Sequence, residues 1–261
     1  MKKRLLIIPV LALSVTLTAH AQQKKMKHED TELYTPVPPV VTPGKSYGVP
    51  PSDAIILFDG KNLDQWVLVG DTSKPPGWSE PADWIVKKGI MTVKKSSGNI
   101  QTRQLFTDYQ LHMEWRIPKG IEGEGQSRGN SGLFLASTGK GDDGYEMQIL
   151  DNYNNSTYTN GQAGSIYKQN APLVNPNLPP GVWQSYDVIW TAPRFNDDGT
   201  LKTPARVTAF FNGVLTQNNF ELKGGTVYIG IPSYKKHGPL PIKIQAHGDK
   251  SKPISFRNIW V

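Results

Sequence analysis

Two short stretches place ionisable and amide side chains at alternate positions of apolar runs. In Tyr145-Glu146-Met147-Gln148-Ile149-Leu150-Asp151, a strand would put Glu146 and Gln148 on one face and Tyr145, Met147 and Ile149 on the other. Ile242-Lys243-Ile244-Gln245-Ala246-His247-Gly248 alternates in the same way, with Lys243, Gln245 and His247 on one side. A carboxylate and an imidazole can act as general base and acid, and amides can hold hydroxyls. Two such strands side by side would line one polar cleft. The alternative is two wet outer faces with no chemistry. Arg128-Gly129-Asn130-Ser131-Gly132-Leu133-Phe134 adds a guanidinium and an amide before a third apolar strand. Arg128 could grip hydroxyls, a ketone or a carboxylate. His112, Glu114 and Arg116 share one face of Leu111–Ile117, where a same-face or cross-strand salt bridge is the simplest reading. Arg257 lies among apolar neighbours near the terminus, as an ion-pair partner or a substrate contact.

These side chains need strands to position them. Short β-like runs recur from Ala54 onward: Ala54–Phe58, Trp84–Val86, Ile90–Val93, Tyr109–Ile117, Ser131–Leu135, Tyr145–Leu150, Ser185–Thr191, Ala205–Phe211, Thr226–Ile229, Ile242–His247 and Ile254–Val261. Asp59-Gly60, Asp143-Gly144, Asp198-Gly199 and Asn212-Gly213 supply turns between them, the last inside a hairpin. No segment carries a sustained helical period. The expected fold is all-β, an antiparallel two-sheet jelly-roll sandwich. Trp115 and Trp190 read as core residues, and Trp78 as a cleft-rim residue able to stack on a sugar.

The chain opens Met1-Lys2-Lys3-Arg4, runs apolar from Leu5 to Leu17 and reaches Ala19-His20-Ala21, the pattern of a secretory leader cleaved after Ala21. Residues 22–52 read as a proline-rich extension and residues 53–261 as one domain. Export to the periplasm or the exterior follows, with no stable membrane span after cleavage. There is no cysteine, so disulfides and thiolate metal sites are excluded. The formal charge of +7 includes the three basic residues of the leader, and no Lys/Arg stripe marks a nucleic-acid partner. Asp142-Asp143 and Asp197-Asp198 sit in Asp-Gly turns and match no calcium loop. No cofactor is demanded by spacing; a divalent cation held by Glu146 or His247 is the one candidate.

Six pieces in order resemble one family. They are Leu57-Phe-Asp-Gly-Lys-Asn-Leu-Asp-Gln-Trp66, Gly129-Asn-Ser-Gly-Leu-Phe, Tyr145-Glu-Met-Gln-Ile-Leu-Asp, Gly164-Ser-Ile-Tyr, Phe211-Asn-Gly-Val, and His247-Gly with Phe256-Arg-Asn-Ile-Trp-Val. Together they resemble the 3-keto-disaccharide hydrolase domain family over residues 53–261. The resemblance implies a concanavalin-A-like jelly roll, a ligand cleft on one sheet, and an oligosaccharide or glycoside substrate.

A C3 ketone acidifies the C2 proton of a sugar, so a base can remove it and the enediolate can expel the C1 substituent. Glu146 or His247 could be that base; Gln148, Gln245, Arg128 and Lys168 could hold the sugar or polarise the ketone. Asn130, Asp151, Glu114 and Arg257 complete the candidate substrate contacts. Two rivals stand beside this reading. A laminarinase-like glycosidase would use Glu146 as nucleophile and Asp151 as acid/base, with a β-bulge between them. A carbohydrate-binding module would need only the aromatics and amides.

Overall fold

The computed structural model describes residues 25–70, 80–139 and 141–261. The expected leader and Trp78 lie outside the described residues. The chain divides into two compact units between Val40 and Val41. Of the first, residues 25–40 carry a 3₁₀ turn at His28–Thr31 and no other regular element. All that follows concerns the second unit, which takes in residues 41–52 of the expected extension.

Among the described residues fifteen strands build this unit. They are β1 (Ile56–Phe58), β2 (Trp66–Leu68), β3 (Ile85–Lys87), β4 (Ile90–Thr92), β5 (Ile100–Thr102), β6 (Tyr109–Arg116), β7 (Ser131–Ser137) and β8 (Gly144–Ile149), then β9 (Gln184–Thr191), β10 (Arg194–Phe195), β11 (Leu201–Thr203), β12 (Arg206–Phe211), β13 (Val214–Glu221), β14 (Lys243–Ile244) and β15 (Ser255–Trp260). An eight-stranded antiparallel sheet runs β13-β12-β9-β6-β15-β4-β3, with β1 also paired to β15. A five-stranded sheet runs β2-β5-β14-β7-β8. A small β10–β11 ribbon stands apart. The terminal strand β15 thus lies inside the larger sheet, where the β-like run Ile254–Val261 was expected to form a strand. Asn212 and Gly213 both take positive φ, 51° and 76°, and close the β12–β13 hairpin.

The alternation expected of a sandwich holds on both sheets. Leu111, Met113 and Trp115 of β6 and Tyr186, Val188 and Trp190 of β9 enter the core. Leu133, Met147, Ile149 and Ile244 meet them from the smaller sheet. Two tyrosines tie the layers: Tyr186 donates to Gln148 O at 2.7 Å, and Tyr109 donates to Leu135 O at 2.6 Å. Both of these buried tyrosine hydroxyls therefore have a partner, which is the condition for burying a polar tip.

Three expectations differ in detail. Thr226–Ile229 is loop, and Thr226 instead covers the edge of β8. The strand expected over Ile242–His247 is only Lys243–Ile244, so His247 lies beyond the sheet. β2 and β5 form strands where none was expected from the sequence.

Candidate active site

Core packing on one face of the small sheet forces the alternate residues outward. Lys243 on β14 pairs with Phe134 on β7, which pairs with Glu146 on β8. In the next row Gln245 N bonds Gly132 O, and Gly132 pairs with Gln148. Register thus brings Glu146, Gln148 and Gln245 onto one face around a glycine. They line a cavity of about 400 Å³ together with Gln126, Asn130, Asp142, Tyr158, Tyr167, Tyr228 and His247.

The β8 backbone is clamped on its outer edge, where a bare edge would otherwise be mobile. Tyr167 N bonds Glu146 O at 3.0 Å, Gln148 N bonds Ser165 O at 3.0 Å, and Gly164 N bonds Gln148 O at 3.0 Å. The Glu146 N–H donates to Thr226 Oγ1 at 2.9 Å. The segment Gly164-Ser165-Ile166-Tyr167 thus serves as a partial sixth strand.

Glu146 is 4 % exposed, and its carboxylate has no hydrogen-bond partner among the described residues. Burial pushes its pKa up to about 8; Asp142 adds to the rise and the Lys243 ammonium opposes it. The result is a carboxyl that exchanges its proton near neutrality, as a general base should. Gly132 gives the group its room: a Cβ there would lie 2.5 Å from Glu146 Oε1.

The amides are oriented by their partners. Asn130 Nδ2 donates to Gln126 O at 2.8 Å, leaving Asn130 Oδ1 to accept from Gln148 Nε2 at 3.1 Å. Gln126 Oε1 accepts a second bond from the same Nε2 at 3.1 Å. Gln245 Nε2 donates to Asp142 Oδ1 at 2.6 Å. Both amide oxygens, Gln148 Oε1 and Gln245 Oε1, are then buried without a partner. Unpaired buried acceptors are costly, and hydroxyl donors of a sugar would satisfy them.

His247 Nδ1 lies 2.8 Å from Asp249 Oδ2. The Asp249 N–H also sits 3.2 Å from Nδ1, so the tautomer must be decided. Burial would raise the Asp249 pKa, but Ser251, His247 and Lys95 hold it low, so the carboxylate is ionised. An ionised carboxylate only accepts, which places the ring proton on Nδ1 and leaves Nε2 free to serve the cavity. Asp249 escapes sequence reading because an acid after His-Gly looks like one more turn former.

Comparison with known proteins gives the family. The sequence pattern of the 3-keto-alpha-glucoside-1,2-lyase-like domain matches residues 53–261. The chain belongs to that family. A 3-keto-disaccharide hydrolase of Bacteroides thetaiotaomicron is 28 % identical over 164 residues, which are 52 % of this chain and 51 % of that relative. The chain therefore spans about half the length of the curated relative it matches. A Parabacteroides distasonis ATCC 8503 protein, named as a glycosyl hydrolase and solved at 2.13 Å, is 51 % identical with a TM-score of 0.80, covering 90 % of this chain and 95 % of its own. A second protein of that organism, solved at 1.70 Å, shares 20 % identity and a TM-score of 0.56, covering 79 % and 92 %; it supports the fold alone.

Within this member of the 3-keto-alpha-glucoside-1,2-lyase-like family, the remaining expected site residues fall elsewhere. Arg128 Nε stands 2.8 Å from Asp151 Oδ2, close but poorly aligned for a hydrogen bond, and Arg128 Nη2 donates to Tyr153 O at 2.5 Å. Neither Arg128 nor Asp151 lines the cavity, because the chain turns away after β8 and the two charges neutralise each other. Lys168 also stands off the lining: its ammonium lies over the rings of Tyr158, Tyr228 and Tyr167 at 4.0, 5.3 and 5.8 Å. It braces a tyrosine wall rather than touching the space itself. Glu114 and Arg257 pair at 2.6 Å on the outer face of the eight-stranded sheet, with the whole core between them and the cavity. Their alternation is outward on β6 and β15, so no register could bring them to the cleft. Among the described residues no three His, Asp or Glu side chains gather as a metal site.

Proposed function

We propose that this chain cleaves the glycosidic bond of 3-keto-glycosides or 3-keto-disaccharides by proton abstraction at C2, with Glu146 as the base. The observation that carries the proposal is the buried, unpartnered Glu146 carboxylate with its pKa near 8, set beside two amide oxygens that lack donors. The names borne by the relatives agree with it.

In this reaction Glu146 takes the C2 proton, and the electron pair becomes the enediolate conjugated with the C3 oxygen. The pair then returns to form the C1–C2 double bond as the C1–O bond breaks. Glu146, now carrying that proton, returns it to the departing oxygen, and the unprotonated Nε2 of His247, its ring held by Asp249, takes a proton from the water that adds and passes it on toward C2. Water can add at C1 while C2 regains a proton, so the net change is hydrolysis. The amide oxygens of Gln148 and Gln245 accept from sugar hydroxyls, and Tyr158, Tyr167 and Tyr228 offer ring surface along one wall.

The two-carboxylate alternative has less support. It needs a second acid facing Glu146 across the bond, commonly about 5–10 Å away. Asp151 is held by Arg128, and Asp142 is engaged by Gln245. Export through a Met1–Ala21 leader forms part of the proposal and rests on the sequence pattern alone.

The test offers matched glycosides with and without a C3 ketone, in deuterated water. Release of the C1 substituent from the keto compound only, with deuterium at C2 of the product, is the expected result. Cleavage of the plain glycoside with no label at C2 would overturn it.

A further inference from the structure

The outer face of the eight-stranded sheet carries a second built pocket. Strand register places Ser185, Glu114 and Arg257 in one row across β9, β6 and β15, and Asp187, His112 and Trp260 in the next. Above them lies a cavity of about 540 Å³, lined by Tyr47, Trp183, Gln184, Asn212 and Gly213 as well as Glu114, Ser185 and Arg257. That volume is in the range of small-molecule sites.

Its chemistry is unbalanced in one direction. Glu114 is fully used: Oε2 takes Arg257 Nε at 2.6 Å and Oε1 takes Asn258 Nδ2 at 2.9 Å. Asp187 is used by His112 Nδ1 at 2.7 Å and by the Tyr47 hydroxyl. The guanidinium of Arg257 stacks on Trp183 at 4.2 Å, and that of Arg116 stacks on the same indole at 4.5 Å. Stacking fixes the plane of a guanidinium and leaves its in-plane donors pointing outward. The terminal nitrogens of Arg257 have no partner among the described residues, and neither has any side-chain nitrogen of Arg116. Arg257 is 41 % exposed, so a ligand can reach it. Two held guanidiniums beside two aromatic side chains, with every nearby carboxylate engaged, lack an anion attached to a ring.

We propose that this pocket is a second, non-catalytic saccharide site that takes a sugar bearing a carboxylate or a sulfate. Arg257 on the cavity wall binds the anionic group; Arg116, which stands outside the lining against the same indole, adds its positive charge and holds Trp183; Trp183 and Tyr47 offer apolar surface to the ring, and Ser185 and the Gly213 backbone meet hydroxyls. The core of the sandwich separates it from Glu146, so it would hold an acidic polymer while the cleft works on another glycoside.

The test uses the full chain as Glu146→Gln, to remove turnover. It is titrated calorimetrically with a glucuronate-bearing oligosaccharide, a sulfated oligosaccharide, their neutral counterpart and inorganic sulfate. One or both acidic saccharides should bind at least tenfold more tightly than the neutral one. Trp183→Ala and Arg116→Gln should each weaken that binding at least tenfold. In the wild-type background the same two changes should leave kcat on a 3-keto-glycoside unaltered. Arg116→Gln breaks no hydrogen bond, so it keeps the test open should Trp183→Ala fail to fold. Equal affinity for acidic and neutral sugars, indifference to both substitutions, or inorganic sulfate binding as tightly as the saccharides would overturn the proposal, as would no binding.

Discussion

Gly132 and Glu146 are locked together across β7 and β8: the space a methyl group would occupy on Gly132 is already held by Glu146 Oε1, 2.5 Å away. The glycine has no left-handed backbone to explain it, so its role is the volume it leaves. Gly132→Ala should move the carboxylate or the strand. Displacing a catalytic group by about an ångström costs roughly 100-fold in rate, while overpacking costs about 1–3 kcal/mol. A fall in kcat far beyond what the loss of stability explains is the expected outcome; unchanged kcat would count against Glu146 as the base.

Activity should climb with pH. A base must be deprotonated to work, and the Glu146 pKa is pushed up to about 8 by burial, aided by Asp142 and opposed by Lys243. The profile of kcat/KM should therefore rise through about pH 8. Glu146→Gln should lower kcat by about 100- to 10,000-fold and abolish deuterium exchange at C2.

The same group weakens the fold at alkaline pH. Its folded pKa lies above its unfolded value near 4.5, so the native state holds the proton more tightly and stability falls as pH rises from about 4.5 through 8. Glu146→Gln removes that penalty. Its Tm should exceed wild type by a few degrees at pH 9, at about 2–4 °C per kcal/mol, with the gap closing near pH 4. Melting curves at the two pH values would expose an error in this sign.

On the opposite face the linkage runs through His112. Burial alone would lower its pKa, but Asp187 and Glu114 raise it to about 9. Its stabilising charge is fully present below the unfolded value of 6.5 and disappears as pH rises to about 9. Gly48 O accepts from Asn258 Nδ2 at 2.7 Å and Trp260 Nε1 at 3.1 Å beside this imidazole, and Tyr47 bonds Asp187. Hydrogen exchange at residues 44–50 should therefore quicken between pH 7 and 9 beyond the intrinsic base-catalysed rate, and His112→Gln should flatten that extra increase.

Asp249→Asn keeps the size of the side chain and reverses what it offers to His247 Nδ1. By analogy with other histidines held by a carboxylate, a loss of roughly 100-fold or more in kcat is expected, with KM little changed. A matching rise in KM would mean that the pair binds the sugar instead.

Alternation in the sequence was enough to place Glu146, Gln148 and Gln245 on one face, because the core partners Met147, Ile149 and Ile244 dictate it. It was not enough for Glu114 and Arg257. Period two says that a residue points out of the core but not out of which sheet, and sheet membership is decided by long-range pairing. Asp151 illustrates a different limit, since parity along β8 ends where the strand ends and Arg128 captures the carboxylate. The tyrosine wall comes from loops, where no periodicity exists to be read. Thr226 was expected in a strand because its neighbours are apolar, yet its hydroxyl was taken by the Glu146 backbone.

The buried ammonium of Lys243 is held by the carbonyls of Gly141 at 2.8 Å and Asp143 at 2.7 Å, with Gly139 O at 3.4 Å, above the Phe134 ring at 4.1 Å. One cation thus measures the length of the turn that presents Asp142 to Gln245. Family members that lengthen or shorten this turn should be unable to keep a lysine at the same place, for it would strand a charge without its oxygen cage. Grafting the turn alone from one relative to another should fail, while moving it together with β14 should succeed. The unit of inheritance at this cleft is the pair, not the loop.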